Sequence, residues 1–277
     1  MAVDEKIASK ERRCRNDLRS AKLVVIKIGA SSLSNASGAL DRGKISSLCD
    51  ELAKLKRRRI DIVLVSSGAI RGGRAIMRDR LKDGEIAGLQ ALAAIGQVVL
   101  MESYRSLMAE KGHNIAQILL TWDDFRNKRR LRNLLNTFNS LLSLGVIPII
   151  NENDTIAVDE IKFGDNDTLS ALVAKYMQAD LLVLLSDIDG LYTGDPKRSG
   201  SRLISCVETV TPEIEKLAAD KHGGFGGMAT KLKAAKIVVD SGIPLIIANG
   251  AHERVLERII DGEKIGTAFL PRDPNEQ

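Results

Sequence analysis

The chain has 277 residues, of which 44% are hydrophobic and 28% are charged, a balance that excludes a disordered protein. Lys and Arg number 41 against 36 Asp and Glu, so the net charge of +5 does not by itself indicate nucleic-acid binding. The three cysteines, Cys14, Cys49 and Cys206, lie too far apart to predict a disulfide framework or a metal site. No uninterrupted apolar run approaches the roughly 18 residues of a membrane span, and the N-terminus lacks a signal pattern. We therefore expect a cytoplasmic protein that makes no contact with membranes.

Short β-branched runs alternate with stretches of helical period along the chain. This pattern predicts an α/β fold, a three-layer sandwich in which helices cover both faces of a mostly parallel central sheet. Apolar residues repeat at helical spacing in three segments, which begin at Ile45, Leu169 and Leu232 and are predicted to be helices. The predicted strands are 23–28, 60–65, 115–120, 146–150, 181–185 and 244–248.

The ends of the chain carry weaker patterns than its middle. Residues 1–21 read as a charged, loosely held N-terminal arm, and the last few residues read as a free tail. Residues 22–270 are predicted to form a single domain, because no linker rich in Pro, Gly or Ser divides them. We expect no further domain after residue 270.

Polar segments follow four of the predicted strands. Ligands of open α/β sheets bind beyond the carboxyl ends of the strands, so these segments are expected to meet at one edge of the sheet. Glycines, hydroxyls, amides and carboxylates gathered there predict a polar site, whereas any one segment alone would be a turn. The segments are "KIGASS", "SSGAI", "NEND" and "SDIDG".

Lys27 interrupts the otherwise apolar strand "LVVIKIG". A buried ammonium group costs several kcal/mol unless an anion meets it, so Lys27 is a candidate for binding an anionic ligand. The alternative is an edge strand from which Lys27 extends to water. Gly29, two residues later, would allow a phosphate or substrate to approach the backbone closely.

The glycine-rich segment "HGGFGGMATK" is a second candidate for anion binding. Its backbone N–H groups can face an anion, and Lys231 follows in the first turn of a helix. The spacing is not that of a Walker A loop, and a dinucleotide fingerprint would need a strand where "TPEIEKLAAD" predicts a helix. A flexible loop with an ordinary capping role is the alternative.

Two acidic residues, Asp154 and Asp167, are further candidates for the site. Asp167 alone would be a helix cap and Asp154 alone a loop acid. An anionic side chain between two lysines, however, would fix their positions and leave net positive charge for a phosphoryl group. The three histidines are isolated, which predicts no metal site, and the basic run from Arg126 to Arg132 is expected to be a solvated helix face.

Several segments together resemble the amino acid kinase family, from about residue 22 to residue 270. They are "VVIKIGASSL", "VLVSSGAI", "PIINENDTIAVDEIKFGDNDTLSALVA", "LLVLLSDIDGLYTGDP" and "GGMATKLKAA". The pair "NEND" and "GDND" is similar to the members of the family that phosphorylate the side-chain carboxylate of L-glutamate at the start of proline biosynthesis. The resemblance implies ATP and Mg²⁺ as cofactors, a homo-oligomer and feedback inhibition by proline.

The resemblance implies that about residues 22–180 bind the amino acid and about residues 181–270 bind the nucleotide. It also implies roles for individual residues. Lys27 and Lys231 would neutralise the transferring phosphoryl group, and Asp167 would orient both lysines. The glutamate that accepts the phosphoryl group would be held by Ser67, Gly68, Asp154 and Asn166. The nucleotide would be held by Lys27, Gly29, Ser186, Asp187, Phe225, Gly226, Gly227, Met228, Ala229, Thr230 and Lys231.

Two positions depart from the family pattern, and two alternatives stay open. The family usually has a hydroxyl residue where Ala30 stands and a threonine where Phe225 stands. A sibling kinase would act on N-acetylglutamate or aspartate, and Asp154 argues for an acceptor with a free ammonium group. A catalytically silent protein that binds nucleic acid through the basic run would leave Lys27 and the glycine loop without a role.

Overall fold

The computed structural model describes residues 2–77, 85–157, 166–219 and 227–272. Its contacts divide the chain into two compact units. We call Met1–Lys27 together with Asp167–Gln277 the terminal unit, and Ile28–Asn166 the middle unit.

The middle unit contains three parallel strands in the order β3-β4-β2. The strands are β2 (Asp61–Ser66), β3 (Ile115–Leu120) and β4 (Ile147–Glu152). The helices are α2 (Arg42–Arg57), α3 (Ala69–Met77), α4 (Ile86–Ala109), α5 (Trp122–Arg126) and α6 (Lys128–Ser143). Every residue of β4 is buried, as expected for a strand of a parallel sheet that is covered on both faces.

The terminal unit contains the strand order β1-β5-β7-β8-β6. β5 is parallel to β7 and β6 is parallel to β8, whereas β7 and β8 are antiparallel. The strands are β1 (Leu23–Ile28), β5 (Leu181–Ser186), β6 (Cys206–Val207), β7 (Leu245–Asn249) and β8 (Thr267–Phe269). The helices are α1 (Ala2–Asp17), α7 (Asn166–Met177), α8 (Pro212–Ala219), α9 (Met228–Val239) and α10 (Val255–Ile260).

Local sequence explains where several helices begin. The Asp41 side chain accepts a hydrogen bond from the Lys44 N–H at 3.1 Å and caps α2. The Asn127 side chain accepts from the Arg129 and Arg130 N–H groups, both at 3.1 Å, and caps α6. These short polar side chains satisfy backbone donors that have no partner within the helix.

The expectation of a loosely held N-terminal arm is wrong for α1. The Arg15 guanidinium pairs with Glu11 at 2.9 Å and donates to the carbonyl groups of Glu263 and Ile265, both at 3.0 Å. Arg15 and Glu11 are 3% and 5% exposed. A buried guanidinium that is satisfied in this way fixes the helix to the rest of the terminal unit. The sequence of residues 1–21 did not predict this docking, because Arg15, which holds the helix in place, is one of many charged residues in that segment.

Among the described residues, α4 is the one helix whose length and composition would allow it to cross a membrane. Buried residues make up 28% of its most apolar stretch. One such helix is weak evidence, because core helices of soluble proteins pass the same test.

Candidate functional site

Four side chains of the terminal unit form a buried cluster of opposite charges, which we call the lysine–aspartate cluster: Lys27, Asp167, Thr230 and Lys231. Lys27 Nζ lies 2.5 Å from Asp167 Oδ1, and Lys231 Nζ lies 3.0 Å from Asp167 Oδ2. The Thr230 hydroxyl lies 2.8 Å from Asp167 Oδ2. The side chains of the two lysines are each 6% exposed and that of Asp167 is 1% exposed. Two ammonium groups share one carboxylate, so the cluster holds an excess of positive charge.

Separate elements of the sequence bring these groups together. Lys27 is the fifth residue of β1, Asp167 lies in the first turn of α7, and Lys231 lies in the first turn of α9. Lys27 is buried and paired, so the alternative of an edge strand with Lys27 extended to water is wrong. The alternative in which Asp167 serves only as a helix cap is also wrong, since its carboxylate oxygens contact both lysines.

The charge state of Asp167 is set by its neighbours. Burial alone would raise the pKa of this carboxyl group, but Lys27, Lys231 and the Thr230 hydrogen bond lower it to about 2. Asp167 is therefore ionised at neutral pH. It can fix the two ammonium groups without cancelling both of their charges.

The start of α9 supplies the described part of the glycine-rich segment. Gly227 is the N-cap of the helix, and Met228, Ala229, Thr230 and Lys231 follow it. The Thr230 hydroxyl also lies 2.8 Å from the Gly227 carbonyl oxygen, so its single proton is donated either to that oxygen or to Asp167. The positive end of the helix dipole adds to the cluster's attraction for an anion. Phe225 and Gly226, which the sequence analysis assigned to nucleotide binding, lie outside the described residues.

The carboxyl ends of β5 and β7 carry further polar groups of the terminal unit. Ser186 ends β5, its hydroxyl donates to Asp187 Oδ1 at 3.2 Å, and its carbonyl accepts from the Gly250 N–H at 2.9 Å. Asp189 then links the two strand ends, because its Oδ1 lies 3.1 Å from Asn249 Nδ2 and 2.8 Å from His252 Nε2. These hydrogen bonds contribute to holding the pKa of Asp189 below its ordinary value against the effect of burial. The sequence analysis did not predict this cross-link, although "SDIDG" contains both acidic residues.

A second polar cluster lies in the middle unit, and we call it the amide cluster: Ser67, Gln97, Asn151 and Asn166. Asn166 Nδ2 donates to Ser67 Oγ and to Asn151 Oδ1, both at 2.9 Å. Asn151 Nδ2 in turn donates to Gln97 Oε1 at 3.0 Å. Asn151 is 4% exposed and Asn166 is 1% exposed, so the chain of hydrogen bonds fixes both amides within the protein.

The turns around the amide cluster include other residues that the sequence analysis expects to bind the phosphoryl acceptor. Gly68 follows Ser67 with φ of +119°, a conformation that favours glycine. The Ser67 N–H is bonded to the Ile28 carbonyl at 3.2 Å, close to Gly29 in the sequence. Asp154 lies in the turn after β4, where burial and then the nearby Glu152 raise its pKa to about 6. Both of these influences disfavour the ionised form of Asp154. An ammonium group bound beside it would have the opposite effect and would stabilise the carboxylate.

Sequence reasoning missed Gln97, Asn151 and the buried contact between Ser66 and Tyr104, whose hydroxyl oxygens lie 2.9 Å apart. Asn151 stood within the quoted "NEND" and could have been found, because an amide at the end of a wholly apolar strand needs a buried partner. Gln97 carries no such signal, since one polar residue in a long apolar helix is common.

A family model described as the amino acid kinase family matches residues 22–249. The chain belongs to the amino acid kinase family. Its relatives include "Glutamate 5-kinase" of Clostridium tetani, which is 47% identical over 91% of this chain and 96% of that protein. "Glutamate 5-kinase" of Dictyoglomus turgidum is 49% identical over 91% of this chain and 68% of its own length.

Solved structures confirm the amino acid kinase fold. Carbamate kinase from Giardia lamblia bound to AMP-PNP superposes with a TM-score of 0.65 at 18% identity, over 92% of this chain and 100% of that one. UMP kinase from Bacillus anthracis superposes with a TM-score of 0.62 at 14% identity, over 91% of this chain and 97% of that one. Identities this low show the fold alone. The α/β fold class with a mostly parallel sheet, predicted from the sequence, is therefore confirmed, as is the resemblance to the family.

Proposed function

We propose that this amino acid kinase transfers the γ-phosphoryl group of ATP to the side-chain carboxylate of L-glutamate, giving γ-glutamyl phosphate and ADP. The reaction is the first step of proline biosynthesis. The observation that carries the proposal is the buried lysine–aspartate cluster, in which two lysines surround one ionised carboxylate. Relatives named glutamate 5-kinase, at nearly half identity over most of the chain, support the choice of acceptor.

The chemistry requires alignment and charge neutralisation rather than a general base. A glutamate side chain ordinarily has a pKa near ~4.3, so the nucleophile is already a carboxylate at neutral pH. Its attack on the γ-phosphorus brings two anions together and develops charge on the transferring group. Lys27 and Lys231 lower the cost of that charge, and Asp167 keeps both ammonium groups in place before the reaction begins.

The amide cluster and its neighbours provide groups that match glutamate. The Asp154 carboxylate suits the ammonium group, and the N–H groups around Ser67 and Gly68 suit the α-carboxylate. Asn166 is held by Ser67 and Asn151, so its side chain is oriented before the substrate binds. Asn166 and Asp167 are consecutive in the chain, and so one peptide links the proposed acceptor residues to the proposed phosphoryl residues.

ATP is assigned to the terminal unit. Lys27 in β1, Ser186 and Asp187 at the end of β5, and the residues from Gly227 to Lys231 at the start of α9 would contact its phosphates. The described residues contain no group of three or more His, Cys, Asp or Glu side chains that could hold a metal ion. Asp167 is surrounded by lysines, which disfavours a divalent cation beside it. These residues fit Mg²⁺ that is carried by the nucleotide phosphates and water, where it would neutralise phosphate charge.

Acyl phosphate formation provides the direct test of this function. Purified protein is incubated with ATP, Mg²⁺ and hydroxylamine, which traps an acyl phosphate as a hydroxamate, while ADP release is followed in parallel. We expect hydroxamate with L-glutamate and none with N-acetyl-L-glutamate or L-aspartate. Formation of product only with another acceptor would contradict the substrate assignment, and folded protein that releases no ADP with any acceptor would contradict the kinase assignment.

The same assay separates the alternatives that the sequence left open. N-acetylglutamate has no free ammonium group, so an Asp154→Asn variant should weaken glutamate binding without improving use of the acetylated acceptor.

The basic run holds the exposed residues Arg126, Arg129 and Arg132. Binding to nucleic acid through that run would fall steeply as salt concentration rises.

Proline inhibition and self-association stay predictions from the family resemblance. The hydroxamate assay repeated with L-proline tests the first. Sedimentation equilibrium of the purified chain tests the second. We propose proline inhibition because the proposed reaction opens the biosynthesis of proline, and we propose self-association because the family resemblance implies a homo-oligomer.

A further inference from the structure

The amide cluster of the middle unit includes Gln97, which the proposed function leaves without a role. Gln97 lies in α4 and is 9% exposed. Its Oε1 accepts a hydrogen bond from Asn151 Nδ2 at 3.0 Å, and Asn151 is the fifth residue of β4. A long polar side chain that is buried in this way needs a partner, and the partner of Gln97 belongs to the proposed acceptor site.

The backbone contact between α3 and α4 brings Gln97 to the amide cluster. A Cβ atom on Gly96 would lie 1.7 Å from the Ala69 carbonyl oxygen, so the helices approach this closely because that position is glycine. Gln97 directly follows Gly96, and Ala69 directly follows the turn of Ser67 and Gly68. One contact therefore positions both Gln97 and the turn that holds Ser67.

A backbone N–H group fixes the direction of the hydrogen bonds in the amide cluster. The Glu152 N–H donates to the Asn151 side chain at 2.9 Å, and a backbone N–H can only donate, so the accepting atom is Oδ1. The other end of that amide is the donor Nδ2, which is bonded to Gln97 Oε1. Asn166 must then present its own donor, Nδ2, to Asn151 Oδ1 at 2.9 Å. The Ser66 carbonyl oxygen, 3.5 Å from the same Nδ2, requires a donor there too.

This direction leaves one acceptor and one donor for a ligand. The acceptor is Asn166 Oδ1, a buried oxygen to which no group of the described residues donates a hydrogen bond. A buried carbonyl oxygen without a donor is unfavourable, so binding of a donor there stabilises the complex. The donor is the Ser67 hydroxyl, whose oxygen accepts from Asn166 Nδ2 at 2.9 Å and whose proton is therefore directed elsewhere. An α-amino acid matches this pair with its ammonium and carboxylate groups.

We propose that Gln97 is a positioning residue for the acceptor, which acts through Asn151 to hold Asn166 Oδ1 toward the ammonium group of glutamate. This inference rests on the proposed function. The ammonium group is the one hydrogen-bond donor that L-glutamate carries at neutral pH, because both of its carboxyl groups are ionised. It has three protons, so Asn166 shares it with Asp154. The Ser67 hydroxyl donates to the α-carboxylate.

Two variants of Gln97 test this role in the hydroxamate assay. Gln97→Met has a similar length but leaves Asn151 Nδ2 without its acceptor, so the orientation of Asn166 is no longer fixed. KM for L-glutamate should rise by about tenfold, the loss expected for one hydrogen bond to a charged group, while KM for ATP stays unchanged. Gln97→Glu keeps an acceptor oxygen and should retain a KM for glutamate within about threefold of the wild type.

Glutarate separates positioning from a general disturbance of the site. It carries both carboxylates of glutamate but no ammonium group, so its constant for competitive inhibition should change by less than about twofold in Gln97→Met. Disruption of the site as a whole would weaken glutamate and glutarate together. Gln117→Met is the matched control, because Gln117 is an exposed glutamine of β3, and this variant should keep the KM of the wild type.

Three results would overturn the inference: an unchanged KM for glutamate in folded Gln97→Met protein, an equal weakening of glutarate, or a Gln97→Glu variant as impaired as Gln97→Met. Failure of the proposed function gives a different result, since wild-type protein would then form no hydroxamate from glutamate. In that case calorimetric titration with L-glutamate decides the inference. Binding by the wild type that Gln97→Met weakens about tenfold supports it, and equal or absent binding overturns it.

Discussion

In the proposed mechanism, phosphoryl transfer depends most directly on Lys27. Its ammonium group is buried, is held 2.5 Å from Asp167 and is proposed to stabilise charge that develops in the transition state. Lys27→Ala should therefore lower kcat by about 100-fold or more, the scale observed for single charge-stabilising donors. Steady-state hydroxamate formation measures this loss.

The interpretation of Lys27→Ala depends on a folded variant. Cooperative thermal unfolding and an unchanged far-ultraviolet circular dichroism spectrum would show that the protein retains its structure. Lys10→Ala is a suitable control, because Lys10 is only partly buried and lies away from the cluster. A folded Lys27→Ala protein with near-normal kcat would exclude the assigned role.

Asp154 should make glutamate binding depend on pH. Burial and then Glu152 raise its pKa to about 6, so in the free enzyme it is neutral below that pH and ionised above it. An ammonium group requires the ionised form, and KM for glutamate should therefore rise as pH falls below about 6. The glutamate side chain itself titrates lower, near ~4.3, and does not account for this step.

An Asp154→Asn variant tests that assignment. Its KM for glutamate should be raised at every pH and should lose the step near pH 6. KM for ATP serves as the internal control and should change little. Persistence of the step in the variant would assign the titration to another group.

At the scale of elements, the contact between α3 and α4 depends on glycine. A Cβ atom on Gly96 would lie 1.7 Å from the Ala69 carbonyl oxygen and 2.3 Å from the Gly73 backbone nitrogen. Backbone atoms cannot rotate away as a side chain can. Gly96→Ala should therefore lower the free energy of unfolding by about 1–3 kcal/mol or more, as overpacked cores do.

Urea denaturation measures this change, and the matched control is Gly194→Ala. The nearest atom to a Cβ at Gly194 is a serine hydroxyl at 4.0 Å, so that variant should unfold within about 0.5 kcal/mol of the wild type. Equal stability of the two variants would mean that α3 and α4 can separate at little cost.

Elements differ in how well their sequences predict them. The predicted strand 23–28 matches β1, because a run of β-branched residues bounded by polar ones is a strong pattern. Strands β6 and β8 were missed, since two- and three-residue strands are too short to show any period. Helix α1 was missed because its buried side chains, Arg15 and Glu11, are charged and give no apolar stripe.

The residues of the candidate site also differ in how well the sequence predicts them. Lys27 was predicted because a charge within an apolar strand requires a partner, and Lys231 because it follows the glycine-rich segment. Asp167 was predicted because an anion between two lysines would fix their positions, and the structure contains both ion pairs. The hydrogen bond between Gln97 and Asn151 joins residues 54 positions apart. Such a contact depends on the packing of α4 against the end of β4, which no local pattern encodes.

For the molecule as a whole, the domain organisation stays a prediction. The sequence suggested one domain whose first part ends near residue 180, whereas contacts separate Ile28–Asn166 from the two ends of the chain. One boundary falls within β1 and the other at the start of α7. Chain order alone could not show that the N-terminal residues pack with the C-terminal ones, because that association is non-local.

Acid should destabilise the whole molecule partly through Asp167. Its pKa is about 2 in the folded protein against an ordinary value of 3.8, so it contributes stability above pH 3.8 that is lost as pH falls through about 2. The difference of nearly two pKa values corresponds to about 2 kcal/mol. Asp167→Asn leaves two buried ammonium groups without their carboxylate and should cost about 3–5 kcal/mol near neutral pH.

The stability difference between wild type and Asp167→Asn should therefore shrink as pH is lowered, because a protonated Asp167 resembles asparagine. Urea denaturation from about pH 6 to about pH 3 should show the first part of a decrease that totals about 2 kcal/mol. Asp123→Asn is the control, since Asp123 is 77% exposed and its variant should follow the wild type at every pH. A constant difference for Asp167→Asn would mean that the two lysines do not hold this carboxylate ionised in the folded protein.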